Sequence, residues 1–169
     1  MKNFTIFTIL CCLFIFCAKA QNSEADYKKG EHFVQSGHYN EAIERFSEVL
    51  KSDSNHLNAL SKRALCYSLN GQFEEAIIDF NKAIALKPDY AQAYLSRGSA
   101  KNKLKKFSQA IVDFNKALSL EPKNTEALNN RGWAKKGLKD HAGACDDWKQ
   151  SKKLGNSEAK IIMQNNQCK

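Results

Sequence analysis

Residues 91–124 read AQAYLSRGSAKNKLKKFSQAIVDFNKALSLEPKN, and the same pattern recurs 34 residues earlier and 34 residues later without a gap. The repeated columns are a small residue at Gly30, Ala64, Gly98 and Gly132, an alanine at Ala42, Ala76, Ala110 and Ala144, and an aromatic ring at Phe46, Phe80, Phe114 and Trp148. A fixed period of this length indicates stacked supersecondary units, each of which buries its apolar face against its neighbours.

Each unit combines two helical segments with a turn. The second segment of the first unit carries one apolar stripe at helical spacing, formed by Ala42, Ile43, Phe46, Val49 and Leu50. Gly37 and Gly71 lie between the two segments of their units, while Lys105 takes that place in the third. Pro88 and Pro122 follow the second segments, where a proline stops helix propagation.

We therefore predict an all-α fold, a solenoid of four helix–turn–helix repeats with a helix at the carboxyl end. The predicted segments are a leader at 1–20, repeats at 23–56, 57–90, 91–124 and 125–158, and a capping helix at 157–167. The last segment is amphipathic, with Ala159, Ile162 and Met163 on its apolar side, which suits a helix that covers the open face of the last repeat.

The leader indicates export. It reads MKNFTIFTILCCLFIFCAKA, with one early lysine and an apolar run too short to span a bilayer, which needs about 20 residues. Ala18-Lys19-Ala20 is the small-x-small pattern of a signal-peptidase site, so we predict cleavage after Ala20. The leader is similar to those of exported bacterial proteins, and we predict a periplasmic or secreted chain without stable membrane insertion. An uncleaved anchor and a lipoprotein are the weaker alternatives.

Three of the six cysteines remain after this cleavage, Cys66, Cys145 and Cys168. Cys66 adjoins Tyr67 on a first helix and is expected to be a buried apolar residue. If the capping helix folds back antiparallel, Cys145 and Cys168 come level, and in an oxidising compartment they could form a disulfide across about 23 residues. The alternatives are two free thiols, or a metal site that adds His141, although zinc sites usually need four ligands.

The repeated columns resemble those of the tetratricopeptide repeat family, over residues 23–158. The third repeat carries the family's small, Ala, aromatic, Ala and Pro columns as Gly98, Ala110, Phe114, Ala117 and Pro122. The resemblance implies a right-handed superhelix whose first helices, here called A helices, line a concave groove that binds peptides or proteins. The second helices, the B helices, would face outward.

The family's groove columns fall on polar residues here, several of them asparagines, whose amides both donate and accept hydrogen bonds to a peptide backbone. The candidates are Lys62, Leu95, Ser99, Asn102, Asn129, Asn130, Trp133 and Lys136. Trp133 is an aromatic on a polar face, typical of a binding hot spot. The alternative is that it packs under the capping helix.

One variant of the family clamps the terminal carboxylate of a chaperone with a Lys/Asn/Asn/Lys/Arg set. The equivalent columns here are Tyr27, Glu31, Lys62, Gln92 and Ser96, or one repeat later Ser61, Leu65, Ser96, Glu126 and Asn130. Neither set keeps the clamp, so the resemblance does not imply that ligand.

The formal net charge of +8 favours an acidic partner. Seven lysines cluster in the last two repeats, Lys101, Lys103, Lys105, Lys106, Lys135, Lys136 and Lys139. They could meet an acidic peptide or form a solvated face. Nucleic acid is disfavoured, because no aromatics alternate with these lysines.

Catalysis has no support in the sequence, which lacks an HExxH motif, a phosphate loop and a nucleophile elbow. We predict no cofactor and no metal. The acidic pairs Glu74-Glu75 and Asp146-Asp147 lie in B segments and are expected to be solvated. The predicted function is non-catalytic binding of a protein or peptide in the concave groove. The alternative is an adaptor that assembles an envelope complex through its convex face or edges.

Overall fold

The computed structural model describes residues 23–168, which it folds into helices and turns without a strand. The predicted leader lies outside the described residues. The helices are α1 (23–35), α2 (Tyr39–Ser52), α3 (Leu57–Leu69), α4 (Phe73–Leu86), α5 (Ala91–Lys103), α6 (Phe107–Leu120), α7 (Thr125–Gly137), α8 (His141–Lys153) and α9 (Ser157–Asn165). None of the helices in this described part is both long enough and apolar enough to cross a membrane.

Consecutive helices pack against each other along the whole array, from α2 to α9. The odd-numbered A helices also meet across repeats, α3 with α5 and α5 with α7. Because A helices of successive repeats approach one another in this way, they form the inner layer of a curved stack, with the B helices outside. The predicted all-α solenoid is confirmed.

The repeated columns are packing columns. The four alanines from Ala42 to Ala144 are fully buried, and each aromatic of the Phe46 column is at least nine-tenths buried. A Cβ atom added at Gly98 would lie 2.7 Å from the Phe114 ring. The small residue on the A helix therefore makes room for the aromatic ring of the B helix in the same repeat.

The turns within repeats use left-handed backbone. Gly37 and Gly71 have φ angles of 75° and 78°, as the glycine signal predicts. Lys105 and Lys139 occupy the equivalent turns of the last two repeats with φ angles of 58° and 64°. A side chain with a Cβ atom adopts this conformation at a cost of about 1–2 kcal/mol. The turn geometry is thus imposed by the packing of the two helices rather than by the turn residue.

An ion-pair ladder that the sequence analysis missed joins the repeats. The pairs are Arg63–Asp79, Arg97–Asp113 and Arg131–Asp147, each with two hydrogen bonds of 2.6–3.0 Å. Each arginine also donates from Nη1 to a B helix of the preceding repeat, at Ser47, Asn81 and Asn115 respectively. The bound Asp79 carboxylate raises the pKa of Arg63.

The ladder corrects one expectation. Asp147 was expected to be solvated, but it is 3% exposed and contacts both Arg131 and Lys135. The outward orientation of B helices applies only to part of their surface, since the position of Asp147 faces the A helix of its own repeat. Its neighbour Asp146 is exposed, as expected.

Helix α9 covers the end of the stack with little buried surface. Ala159 is its fully buried residue, while Ile161 is 59% exposed. The side chain of Asn156 caps its first turn by accepting from the backbone N–H groups of Glu158 and Ala159. Cys66 is fully buried in α3, as expected, and this burial raises the pKa of its thiol to about 11.

Candidate functional site

A groove of about 750 Å³ runs along the inner layer between the A helices of repeats three and four. Its lining residues are Ser99, Asn102, Lys103, Phe107, Glu126, Asn130, Trp133, Lys136 and Gly137. We call this surface the α5–α7 groove. Helices α5 and α7 lie side by side, so residues at equivalent positions of the two helices face the same space. The groove therefore lies on the concave side of the stack.

The structure brings together five of the eight residues that the sequence singled out. These are Ser99, Asn102, Asn130, Trp133 and Lys136. They come together because the two helices are equivalent in the repeat, so a position that points inward on α5 also points inward on α7. The family columns thus locate this part of the inner layer well.

Two candidates do not line the groove. Leu95 is 1% exposed and packs in the core cluster with Phe114, so its side chain fills the space between helices. Asn129 is 7% exposed, and its carbonyl oxygen accepts from Nε1 of Trp148 at 3.2 Å. Both occupy the same repeat position, which faces the interior in these two repeats.

Lys62 also lies elsewhere, in a smaller cleft of about 220 Å³ between repeats two and three. Its Nζ is 3.5 Å from a carboxylate oxygen of Glu31. The same cleft includes Leu65, whose residue surface is 40% exposed. The predicted groove residues therefore lie in two separate clefts of the inner layer and do not line one continuous groove.

Trp133 is the large aromatic of the α5–α7 groove. It is 41% exposed, and its ring meets the buried ring of Trp148 edge-on, with centroids 5.2 Å apart. The ammonium of Lys136 lies 5.1 Å from the centroid of the Trp133 ring. One side of the indole is thus fixed by packing while the rest faces the groove. The indole ring is therefore fixed in position by packing and lies next to a positive charge.

A chain of amide contacts organises the polar wall. Asn102 Nδ2 donates to the carbonyl oxygen of Asn130 at 3.0 Å, and Asn130 Nδ2 donates to Ser99 Oγ at 3.1 Å. The buried Oδ1 of Asn102 accepts no hydrogen bond from the described residues. A buried amide oxygen without a donor costs free energy, and with less than 1 Å² of accessible surface this atom belongs to the packed base of the wall.

The sequence analysis did not single out Phe107 on α6 or Gly137 on α7. Both residues line the groove, and the Phe107 ring packs against the backbone of Gly137. A Cβ atom at position 137 would lie 2.6 Å from the Phe107 ring. The corresponding A-helix positions of the earlier repeats carry Gln35, Leu69 and Lys103. Glycine occurs at this position only in the fourth repeat, and this difference is the sequence feature that could have pointed to the site. The absence of a side chain at Gly137 allows the Phe107 ring to approach the α7 backbone.

The basic cluster is smaller than the sequence suggested. Lys101 Nζ lies 2.8 Å from Asp113, and Lys135 Nζ lies 2.9 Å from Asp147, so both belong to the ion-pair ladder. Lys103 and Lys136 line the groove near the carboxyl ends of α5 and α7, and Glu126 lies near the start of α7. The groove therefore has a positive end and a negative end.

Cys145 on α8 and Cys168, which follows α9, lie close to each other. Cys145 and Cys168 have Cα atoms 5.5 Å apart and partly exposed side chains. Asn166, two residues before Cys168, accepts a hydrogen bond at Oδ1 from Nζ of Lys136. In the described part of the chain, no group of three or more His, Cys, Asp or Glu side chains has a geometry that could hold a metal ion.

Two family models described as tetratricopeptide repeat match the sequence, one over residues 27–91 and the other over 91–124. Together they span more than half of the chain. A comparison with curated protein sequences found no match.

Solved structures give similar folds. A crystal structure of MamA is 25% identical with a TM-score of 0.77, and the match covers 86% of this chain and 85% of that one. The first tetratricopeptide repeat domain of Spaghetti (RPAP3), bound to the HSP90 peptide SRMEEVD, is 32% identical with a TM-score of 0.68, covering 70% and 94% of the two chains. The second such domain of human RPAP3, in complex with the HSP70 peptide SGPTIEEVD, is 30% identical with a TM-score of 0.66, covering 69% and 98%.

Proposed function

Because this chain belongs to the tetratricopeptide repeat family, a family of protein-interaction modules, we propose that it binds a protein or peptide segment in the α5–α7 groove. The observation that carries the proposal is Trp133, a 41% exposed indole fixed against Trp148 inside a concave polar groove. A rigid, half-exposed aromatic in a groove is the usual anchor of a binding interface, because it buries a large area at a small cost in side-chain entropy.

The polar wall supports an extended ligand. The side chains of Ser99, Asn102 and Asn130 hold one another in place, so their free donors and acceptors are positioned before a ligand arrives. Solved relatives with bound peptides, the two RPAP3 domains, support the same mode of use for this fold.

The proposed ligand differs from the peptides in those structures. Both of those peptides end in EEVD. The columns that would form the carboxylate clamp here include Tyr27, Glu31 and Gln92, which supply no matching cations. We propose instead a segment with an apolar side chain for Trp133 and an acidic group for Lys103 or Lys136.

The proposed compartment is outside the cytoplasm, on the strength of the leader sequence. There the Cys145 and Cys168 thiols would be oxidised to a disulfide, for which a Cα separation of 5.5 Å is suitable. The proposal assigns the chain no catalytic step.

A second candidate is an adaptor that binds through its convex face. Ile78 on α4 and Val112 on α6 occupy the same repeat position and are 62% and 66% exposed. The flanking repeats place Glu44 and Asp146 at this position. Two neighbouring aliphatic side chains with acidic residues at both ends could contact a partner without involving the groove.

Selection from a random peptide library displayed on phage separates the two candidates. We expect the immobilised protein to enrich peptides that the Asn102→Ala/Trp133→Ala variant no longer retains. Loss of a central aromatic anchor typically costs about 2 kcal/mol, or about 30-fold in affinity. The matched control is Ile78→Ala/Val112→Ala, which should retain the peptides. Loss of binding in the control with retention in the groove variant would overturn the groove proposal in favour of the adaptor.

A further inference from the structure

We propose that a disulfide between Cys145 and Cys168 is a redox switch for the α5–α7 groove: when the bridge is reduced, Asn166 leaves Lys136 and the site around Trp133 loses its ordered form. This inference rests on the proposed function, because it names how ligand binding at that groove is regulated.

A continuous chain of contacts links the bridge to the groove. Cys168 follows Asn166 by two residues, and the backbone N–H of Cys168 donates to the carbonyl oxygen of Met163 at 3.0 Å. Asn166 Oδ1 accepts from Nζ of Lys136, while Asn166 Nδ2 donates to the carbonyl oxygen of Ile162 at 2.7 Å. The Asn166 amide is therefore held by its own helix on one side and holds Lys136 on the other.

The hydrogen bond from Lys136 to Asn166 also fixes the position of Lys136 relative to Trp133. With its ammonium held by Asn166, it stays 5.1 Å from the centroid of the Trp133 ring. A free lysine would lose this fixed place, because its long side chain has many rotamers in water. The cap thus determines where one of the two groove cations lies and how much of the indole a ligand can reach.

Helix α9 needs more than its own packing to keep this arrangement, because it has nine residues and isolated helices shorter than about 12–15 residues are marginal in water. Ala159, near its start, is fully buried, and Ile162 and Met163 are half-buried. Ile161, Gln164 and Asn165 are exposed. The amino end is held by the Asn156 cap and by Ala159. The carboxyl end, which carries Asn166, is held by the bridge at Cys168.

The chemistry needs a dithiol reductant of the kind found in thiol–disulfide exchange. Its thiolate attacks one sulfur of the bridge, forms a mixed disulfide and releases the other cysteine as a thiolate, which takes up a proton. The second thiol of the reductant then displaces the remaining cysteine, so two electrons and two protons reach the protein and the dithiol becomes a disulfide. Cys145 and Cys168 are partly exposed and open to such attack, whereas Cys66 is fully buried and takes no part.

Acrylamide quenching of Trp133 fluorescence tests the coupling without any ligand. The signal of Trp133 is obtained by subtracting that of the Trp133→Phe variant, which retains Trp148. We expect reduction of the purified protein with dithiothreitol to raise the quenching constant of Trp133 about twofold, and Asn166→Ala to have the same effect in the oxidised protein. The matched control is the exposed neighbour Asn165→Ala, which should leave quenching unchanged. Equal quenching of the oxidised and the fully reduced protein would overturn the inference.

The second arm measures the affinity of a library-selected peptide for the oxidised and reduced protein. We expect binding to weaken about tenfold on reduction, and the Cys145→Ser/Cys168→Ser variant to behave as the reduced protein in either buffer. Circular dichroism of both forms checks that the repeats stay folded. An affinity that is unchanged or higher on reduction would overturn the switch even if quenching changes. A library that yields no groove-dependent peptide would instead overturn the proposed function, and the quenching result would still decide whether the bridge orders Trp133.

Discussion

Arg97 holds Asp113 with two parallel hydrogen bonds, from Nε to Oδ2 at 3.0 Å and from Nη2 to Oδ1 at 2.6 Å. Asp113 is 1% exposed, and Lys101 supplies a second cation 2.8 Å from Oδ2. The carboxylate therefore balances two positive charges in a place that water barely reaches. Such a buried centre stabilises the fold only while all its members are present.

Replacing Asp113 by Asn should be strongly destabilising, because Arg97 and Lys101 would remain together without a counter-charge. We expect the free energy of unfolding, measured by urea titration, to fall by about 3–5 kcal/mol. The control is Asp146→Asn on the exposed surface of α8, which should change it by less than about 0.5 kcal/mol. Equal effects of the two substitutions would show that the ladder contributes nothing specific.

Glycine at the left-handed turns should be stabilising. Lys105 and Lys139 have φ angles of 58° and 64°, where a Cβ atom is strained and glycine is not. We expect Lys105→Gly and Lys139→Gly each to raise the free energy of unfolding by up to about 1 kcal/mol. Lys116→Gly, at an exposed position in the middle of α6, should lower it by about 1 kcal/mol, because glycine is a poor helix former. A loss of stability from the turn substitutions would contradict the assigned strain.

The close approach of Gly132 to Trp148 predicts a penalty for alanine. A Cβ atom at Gly132 would lie 2.8 Å from Cε2 of the Trp148 ring, which is held by its hydrogen bond to the Asn129 carbonyl. Alanine should improve helix propensity by about 1 kcal/mol, but overpacking costs typically 1–3 kcal/mol, so we expect a net loss of about 1 kcal/mol. The converse change, Ala64→Gly, should also destabilise, since the second repeat already accommodates a methyl group. Thermal unfolding measures both.

The state of the cysteines can be counted. If Cys145 and Cys168 are bridged, the unfolded, unreduced protein without its leader should show one reactive thiol, that of Cys66, and three thiols would contradict the bridge. In the folded protein at pH 8, Cys66 should not react with alkylating reagents, because burial raises the pKa of its thiol to about 11.

The same shift predicts a pH dependence. The ordinary pKa of a cysteine thiol is about 9.0, so above that pH the unfolded chain loses the Cys66 proton while the folded chain keeps it. The contribution of this group to stability is therefore fully present below about pH 9 and is lost as the pH rises toward 11. In Cys66→Ala, this part of the alkaline loss of stability should be absent, which urea titrations at pH 8 and pH 11 would detect.

The sequence predicts the solenoid well because its determinants repeat. The packing of two helices is defined by a small residue, an alanine and an aromatic residue at fixed spacing. Each further repeat carries the same residue types at the same spacing. The groove is less predictable. Leu95 and Asn129 occupy a column that the family can expose, but here they are buried, because their burial depends on which neighbours fill the adjacent helices rather than on their own spacing.

The missed features are those in which two segments must be seen together. Arg97 and Asp113 are 16 residues apart, a separation that means nothing until α5 and α6 are placed side by side. Likewise, Lys136 could be assigned to the inner layer from its column, but its contact with Asn166 depends on the path of the last helix. Pair contacts across helices need the packed structure, whereas columns do not.

The ion-pair ladder also determines where a duplicated repeat would fit into the array. An extra copy of residues 91–124 placed inside the array would bring its own Arg97, Asp113 and Asn115, and so would find a partner on each side. The first repeat carries Lys29 and Arg45 at the arginine and aspartate positions, and Arg45 pairs with Asp26 instead. A unit added in front would bring its own Arg97–Asp113 pair, but its Asn115 would meet Lys29, which lacks the forked guanidinium that links the later repeats. The chain is therefore better suited to lengthening from within than to growth at its front end.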